Sequence, residues 1–339
     1  MEQELLSLLA DTQSPRADAR KAAEAQLAQL NSNESFPISL TAIASHESVP
    51  VNLRQSALSV LRTFIASSWS PNLDDFTGQV LVSDANKPQI RAALLELATT
   101  VETPERKVKA SASYAVSKIA SADFPDDWPE LLPNLLHVIN EPATTDIALH
   151  GALKVLLDLV DTGFSDEQFF NVARDLVSSL FAVATSEARR PMLRALAVAV
   201  FRSCFDTLEM VLEQHKVAIK QFVDEVLSAW SPYFVETLKA PLPQPPSPEE
   251  ANKVGEIPSQ WRGIVGLKLQ VVKVCIRNGG SVVVSGIEQW LTQHCLACTD
   301  CYEDPHGLPR TSNRPEPDFL LDRLDRTHQC YAHLPKLLY

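Results

Sequence analysis

The sequence predicts an all-α protein, a solenoid of stacked helix pairs, and three observations carry that prediction. Glycine is scarce, 10 residues in 339, where folded chains average about 7%, and sheets and tight hairpins consume glycine. Apolar residues recur every three or four positions along almost the whole chain, while no comparable stretch alternates with a period of two. The helical segments fall into pairs joined by polar or proline-containing turns.

Taken in order, the pairs are 2–10 with 15–30, 36–45 with 50–68, 88–101 with 105–120, 127–140 with 143–161, 166–185 with 189–212, and 215–239 with 258–277. A seventh opens at 282–293. Their apolar stripes include Leu53, Ala57, Val60, Leu61, Phe64 and Ile65 in the second pair and Ile90, Leu94, Leu97 and Val101 in the third. Leu149, Leu153, Leu156 and Val160 follow in the fourth. Pro15 and Pro104 stand where a helix begins, because the N–H that proline lacks has no partner there in any case. Asn31-Ser32-Asn33 and Thr162-Gly163 end helices. The spacing is ~45 residues per pair, inside the range of HEAT and armadillo repeats. One such pair cannot bury both faces, so six to seven of them must stack, here as a right-handed α-solenoid.

Two segments interrupt the pattern. Residues 241–259, PLPQPPSPEEANKVGEIPS, are too rich in proline to continue a helix and read as a loop within the sixth pair. After Gln293 the helical period stops, and residues 294–339 read as an irregular tail. Within it Cys295, Cys298 and Cys301, beside His294 and His306, form C-x-x-C-x-x-C. Three thiolates so spaced suit zinc or an iron–sulfur cluster, but the usual spacing to a fourth ligand is missing. The expectation is no metal and no cofactor.

Charge and motif content narrow the function. Lys and Arg number 30 against 42 Asp and Glu, a net charge of −12. That balance opposes attraction to nucleic-acid backbones and suits either a basic partner or plain solvated helix faces. No phosphate loop, zinc-protease helix, nucleophile elbow or dinucleotide fingerprint is present, so no enzyme is expected. Neither is a membrane span, since no run reaches ~18 apolar residues. The N-terminal MEQELLSLLADTQ has acidic residues where a secretory signal needs basic ones, and reads as an amphipathic helix. Basic residues recur on the second helices, at Arg20, Lys21, Arg54, Arg62, Lys107, Lys109, Lys118, Lys154, Arg194 and Lys268. They either line one surface or form an internal ladder between repeats. Asn52, Gln55, Ser59 and Arg62 share one face by their spacing, turned away from the apolar stripe.

The segment Asp123-Phe124-Pro125-Asp126-Asp127-Trp128-Pro129-Glu130-Leu131-Leu132-Pro133 resembles the D-[FWY]-P-x-x-W-P-x-L-x-P turn of importin-β-type karyopherins. As a corner it makes physical sense: Pro125 stops one helix, Trp128 fills the joint and Pro129 starts the next. Upstream, Arg20-Lys21-Ala22-Ala23-Glu24-Ala25-Gln26-Leu27 resembles that family's R-x-x-A-E-x-x-L helix. Leu53-Arg54-Gln55-Ser56-Ala57, with Leu61-Arg62-Thr63-Phe64-Ile65 and Trp69, resembles V-R-Q-x-A…L-K-N-x-I…W, departing from it at Arg62-Thr63. The likeness covers the family's N-terminal third and is nearest its importin-nine branch. It implies a nuclear import receptor shuttling between cytoplasm and nucleus. Residues 1–122 would bind the GTPase Ran in its GTP form, and 123–293 would supply further HEAT repeats. Basic cargo such as histones, and nucleoporins, would be the other partners. The Ran contacts expected are Asn52, Gln55, Ser59, Arg62 and Lys107, with Asp123, Phe124, Pro125, Trp128 and Pro129 as a structural corner. The competing reading is a HEAT scaffold whose binding ignores nucleotide.

Overall fold

The computed structural model describes residues 1–78, 80–99, 106–162, 166–212, 216–247 and 256–277. Twelve helices occupy them: α1 (Glu2–Asp11), α2 (Ala17–Leu30), α3 (Phe36–Ser45), α4 (Val51–Ser68), α5 (Lys87–Thr99), α6 (Arg106–Asp123), α7 (Leu131–Asn140), α8 (Asp146–Thr162), α9 (Asp166–Thr185), α10 (Pro191–Leu212), α11 (Lys216–Lys239) and α12 (Glu256–Arg277). No strand occurs among the described residues. The predicted seventh pair and the tail, with its Cys295, Cys298 and Cys301, lie outside them.

Packing divides the chain into two units, one ending at Ser179 and one beginning at Leu180. In the first, each pair closes on itself, α1 on α2, α3 on α4, α5 on α6 and α7 on α8. Helices α4, α6 and α8 form one row, and α1, α3 and α5 another. A helix with one apolar face is stable only when neighbours cover that face. α3 shows the result: Phe36, Leu40, Ile43 and Ala44 are all buried, and the Phe36 ring meets Phe64 of α4 edge-on at 5.4 Å. α2 is the exception, burying only Ala23 and Leu27.

In the second unit α10 packs on α11 and α12. Its core is aromatic: Trp230 of α11 stacks on Phe201 of α10 with centroids 3.8 Å apart, and Phe181, Tyr233 and Phe234 close around it. Cys275 is buried there, and burial pushes its thiol up to about 12.

Three details differ from the sequence reading. On α4 the buried face holds Arg54 and Leu58, while Leu53 and Val60 are only half-buried; the stripe is rotated by about one residue because Arg54 has a use inside. The helix after the Pro-rich stretch starts at Glu256, so residues 256–259 belong to α12 and not to the loop. Proline at position 258 is tolerated because the first turn has no N–H partners to lose. Likewise α7 begins at Leu131, with Pro129 in the turn before it.

The use of Arg54 recurs at two more of the basic residues of the second helices, Arg194 and Lys268. The Arg54 Nε donates to the Ala44 carbonyl at 2.7 Å, in the last turn of α3. Arg194 repeats this ten residues after its own acceptor, with Nε donating to Ala184 of α9 at 2.8 Å. Lys268 does the same work on α11, its Nζ donating to the carbonyls of Thr237 and Ala240, both at 2.5 Å. A helix leaves its last four carbonyls unpaired, and the partial negative charge gathered there attracts a cation. Each of the three bonds the end of the preceding helix in its own pair and not a neighbouring repeat, and Arg54 and Lys268 are buried. Lys268→Met should therefore destabilise the second unit by about 1–3 kcal/mol, the cost of stranding buried acceptors. Urea unfolding followed by circular dichroism checks it, and an unchanged midpoint would show that the carbonyls need no cation.

Candidate partner-binding face on α4 and α6

The residues expected to meet a partner lie on α4 and α6, adjacent members of one row. α4 spans eighteen residues with no carboxylate, and α6 has one, Asp123, which is buried. Arg62 and Lys107 are exposed and Lys118 is half-exposed. A chain of net charge −12 thus presents a local cationic strip here.

Of the five predicted contacts, Asn52, Ser59, Arg62 and Lys107 are exposed and Gln55 is half-buried. Asn52 is engaged within the chain: its Nδ2 donates to Gln13 Oε1 at 2.7 Å, while Gln13 Nε2 donates to Ser56 Oγ at 2.8 Å. The turn after α1 therefore covers the first turn of α4. Ser59 and Arg62 remain open farther along. The Arg62 guanidinium lies 5.1 Å from the ring centroid of Tyr114 on α6, and Tyr114 is itself 49% exposed. The sequence reading missed Tyr114. The signal was its place off the buried stripe of Val108, Ala112, Ala115 and Ile119. Lys109, predicted as part of the same basic set, is buried instead. Farther along, Lys118 approaches Asp75 at 3.5 Å.

At the far end of α6 stands the corner. Asp123 Oδ2 accepts from Trp69 Nε1 at 2.7 Å and from Arg91 Nε at 2.9 Å. Arg91 also donates through Nη1 to the Asp127 carbonyl at 2.6 Å. Its guanidinium sits 5.8 Å from the Trp69 ring and 5.7 Å from the Trp128 ring. Trp128 is buried, Phe124 and Pro125 are half-buried, and Pro129 is exposed. The corner thus ties the end of α4, the body of α5 and the end of α6 to the approach to α7. Trp69 and Arg91, the partners of Asp123, were not among the expected corner residues.

Among the described residues no three His, Cys, Asp or Glu side chains are placed to hold a metal, and no helix is long and apolar enough to cross a membrane. The face offers binding: cations, amides and one aromatic ring on rigid helices.

Residues 23–100 match the importin-beta N-terminal domain. Importin subunit beta-5 of Schizosaccharomyces pombe is 33% identical over 246 residues, covering 71% of this chain and 24% of that protein. The chain belongs to the importin-β-type karyopherins. Importin-9 of Drosophila melanogaster is 22% identical over 190 residues, 56% of this chain and 18% of that one. The karyopherin chain in hand thus spans about a quarter, or less, of the curated relatives it matches. Its fold is shared with the exportin Cse1 in its cargo-free, cytoplasmic state, at a TM-score of 0.58 and 17% identity over 99% of this chain and 35% of that one. It is shared equally with yeast Kap95p, whose binding induces the switch loops of RanGDP to adopt the GTP-bound conformation, at 0.55 and 16% over 89% and 31%. In its complex with Nup1, Kap95 matches at 0.54 and 17% over 89% and 32%. These are HEAT-repeat solenoids, the architecture that the period of the karyopherin sequence predicts.

Proposed function

We propose that this chain is the Ran-binding N-terminal region of a nuclear import receptor, and that it takes Ran in the GTP form on the α4–α6 face. The observation that carries the reading is the pair of exposed cations Arg62 and Lys107 on two carboxylate-poor helices of an acidic chain, lying within and beside the importin-beta N-terminal domain match. Lys118 stands beside them, paired to Asp75. Complementary charge speeds encounter and fixes orientation, which is what a receptor that must sense one state of a GTPase requires. The relationship to Kap95p, a binder of Ran and of Nup1, supports Ran and nucleoporins as partners. The acidic remainder supports basic cargo, of which histones are the class proposed. Such a receptor shuttles between cytoplasm and nucleus, and in this reading it binds and releases without catalysing a reaction or using a cofactor.

The test is equilibrium binding of the 339-residue chain to Ran loaded with a non-hydrolysable GTP analogue or with GDP. The GTP form should bind at least about tenfold tighter, a coupling of the size usual for an allosteric partner. Arg62→Glu should weaken that complex by more than about 1 kcal/mol while leaving thermal unfolding within about 2 °C of the parent. Equal binding of both forms, or of neither, would replace this reading with a HEAT scaffold indifferent to nucleotide. Histone binding is scored separately, by whether Ran-GTP displaces core histones from the chain.

A further inference from the structure

We infer that Tyr114, held by Arg62, is the aromatic anchor of the α4–α6 face and contacts Ran-GTP directly. The inference rests on the Ran reading above and adds to it a residue, in the third helix pair, that carries the contact.

Four observations lead to it. Tyr114 is a large side chain left 49% exposed in a helix whose other apolar residues are nearly all covered. Its neighbours one turn earlier are Ala110 and Ser111, too short to shield it, so the ring stands above the helix surface. Arg62 of α4 lies over that ring at 5.1 Å, which fixes its orientation from the adjacent repeat. Finally, Lys107 falls seven residues before Tyr114 on the same face of α6 and is exposed, so a cation stands on the N-terminal side of the ring. Lys118, on its other side, is paired with Asp75. Tyrosine and arginine are the residues most often found at the energetic centre of an interface. A ring already held in place loses little freedom when a partner covers it. The charge around it selects an occupant with carboxylates near an exposed apolar or amide group. Nucleotide-dependent binding has a natural place here, because a partner surface that rearranges with nucleotide can bring such groups to the ring in one state only.

The experiment measures Ran binding of the full chain and of Tyr114→Ala, Tyr114→Phe, Arg62→Ala and the double alanine variant, beside nitration of Tyr114 by tetranitromethane read by mass spectrometry. Tyr114→Ala should weaken the GTP-form complex about tenfold or more, and Tyr114→Phe should stay within about threefold because the stacked ring remains. The double variant should lose less than the product of the two single losses, since the stack acts as one unit. Ran-GTP should protect Tyr114 from nitration and Ran-GDP should not, a readout that a purely structural tyrosine would not give. If the parent binds Ran-GTP while Tyr114→Ala stays within about twofold of it, or while nitration proceeds unprotected, the anchor is overturned and the Ran reading stands. Should the parent show no preference for Ran-GTP, both are overturned.

Discussion

Asp123→Ala should cost the first unit about 3–5 kcal/mol, the range for removing one partner of a buried ion pair. Asp123 is 2% exposed, and its Oδ2 receives both the Trp69 indole N–H and the Arg91 guanidinium. Without the carboxylate, the Trp69 N–H and the Arg91 charge, whose side chain is 11% exposed, are both left without it in the interior. Water cannot readily replace it, because Trp69 and Trp128 flank the guanidinium. Asp123→Asn keeps an acceptor for Trp69 and loses only the charge, so its penalty should fall between the parent and the alanine variant. Trp128→Ala should cost a similar 3–5 kcal/mol, about the usual value for a buried aromatic. The double variant should cost less than the two together, since both act on the seating of Arg91. Urea midpoints at constant slope measure all of these. A loss below about 1 kcal/mol for Asp123→Ala would mean that the corner is an open turn and not a buried joint.

The importance of that corner was only half visible in the sequence, and the reason is distance along the chain. Pro125 and Trp128 announce a joint locally. The acceptor role of Asp123 depends on residues 54 and 32 positions away, which no local pattern links to it. Helix extents were far more legible. The segment 15–30 is α2 at Ala17–Leu30, and 105–120 is α6 at Arg106–Asp123, because proline, polar caps and the apolar period all act within a few residues. The orientation of the cations was the hardest part. A period count scores Arg54 and Lys268 as polar and turns them outward, yet each is buried against carbonyls at the end of the preceding helix. Arg62, on the same helix as Arg54, does face out. The eight positions from one to the other carry the chain about 80° past two full turns, so about a quarter turn separates a buried cation from an exposed one. The engagement of Asn52 by Gln13 lies across 39 residues and was invisible for the same reason as the corner.

Gly151→Ala should be among the most damaging single-methyl additions in the chain, although alanine is the better helix former by about 1 kcal/mol. Gly151 lies within α8, where that helix crosses the last turn of α5. A Cβ there would overlap the Ala98 carbonyl oxygen and stand 3.1 Å from Thr99 Cα. Both obstacles are backbone, so no rotamer change can clear them and the two helices must move apart. That separation opens the layer holding Leu94, Leu97 and Leu149, all buried. Overpacking of this kind costs about 1–3 kcal/mol and occasionally more; with backbone on both sides the upper end is expected, net of the propensity gain. Gly266→Ala in α12 is the matched control. Its nearest obstacle is the Ala195 Cβ at 4.0 Å, an ordinary contact, so the helix-propensity gain should survive as neutral to about 1 kcal/mol stabilising. Opposite signs for two glycine-to-alanine changes, read from urea midpoints in the same chain, isolate the close crossing of α5 and α8 as the cause. If Gly151→Ala proved as harmless as Gly266→Ala, the third and fourth helix pairs could not be stacked as closely as this structure has them.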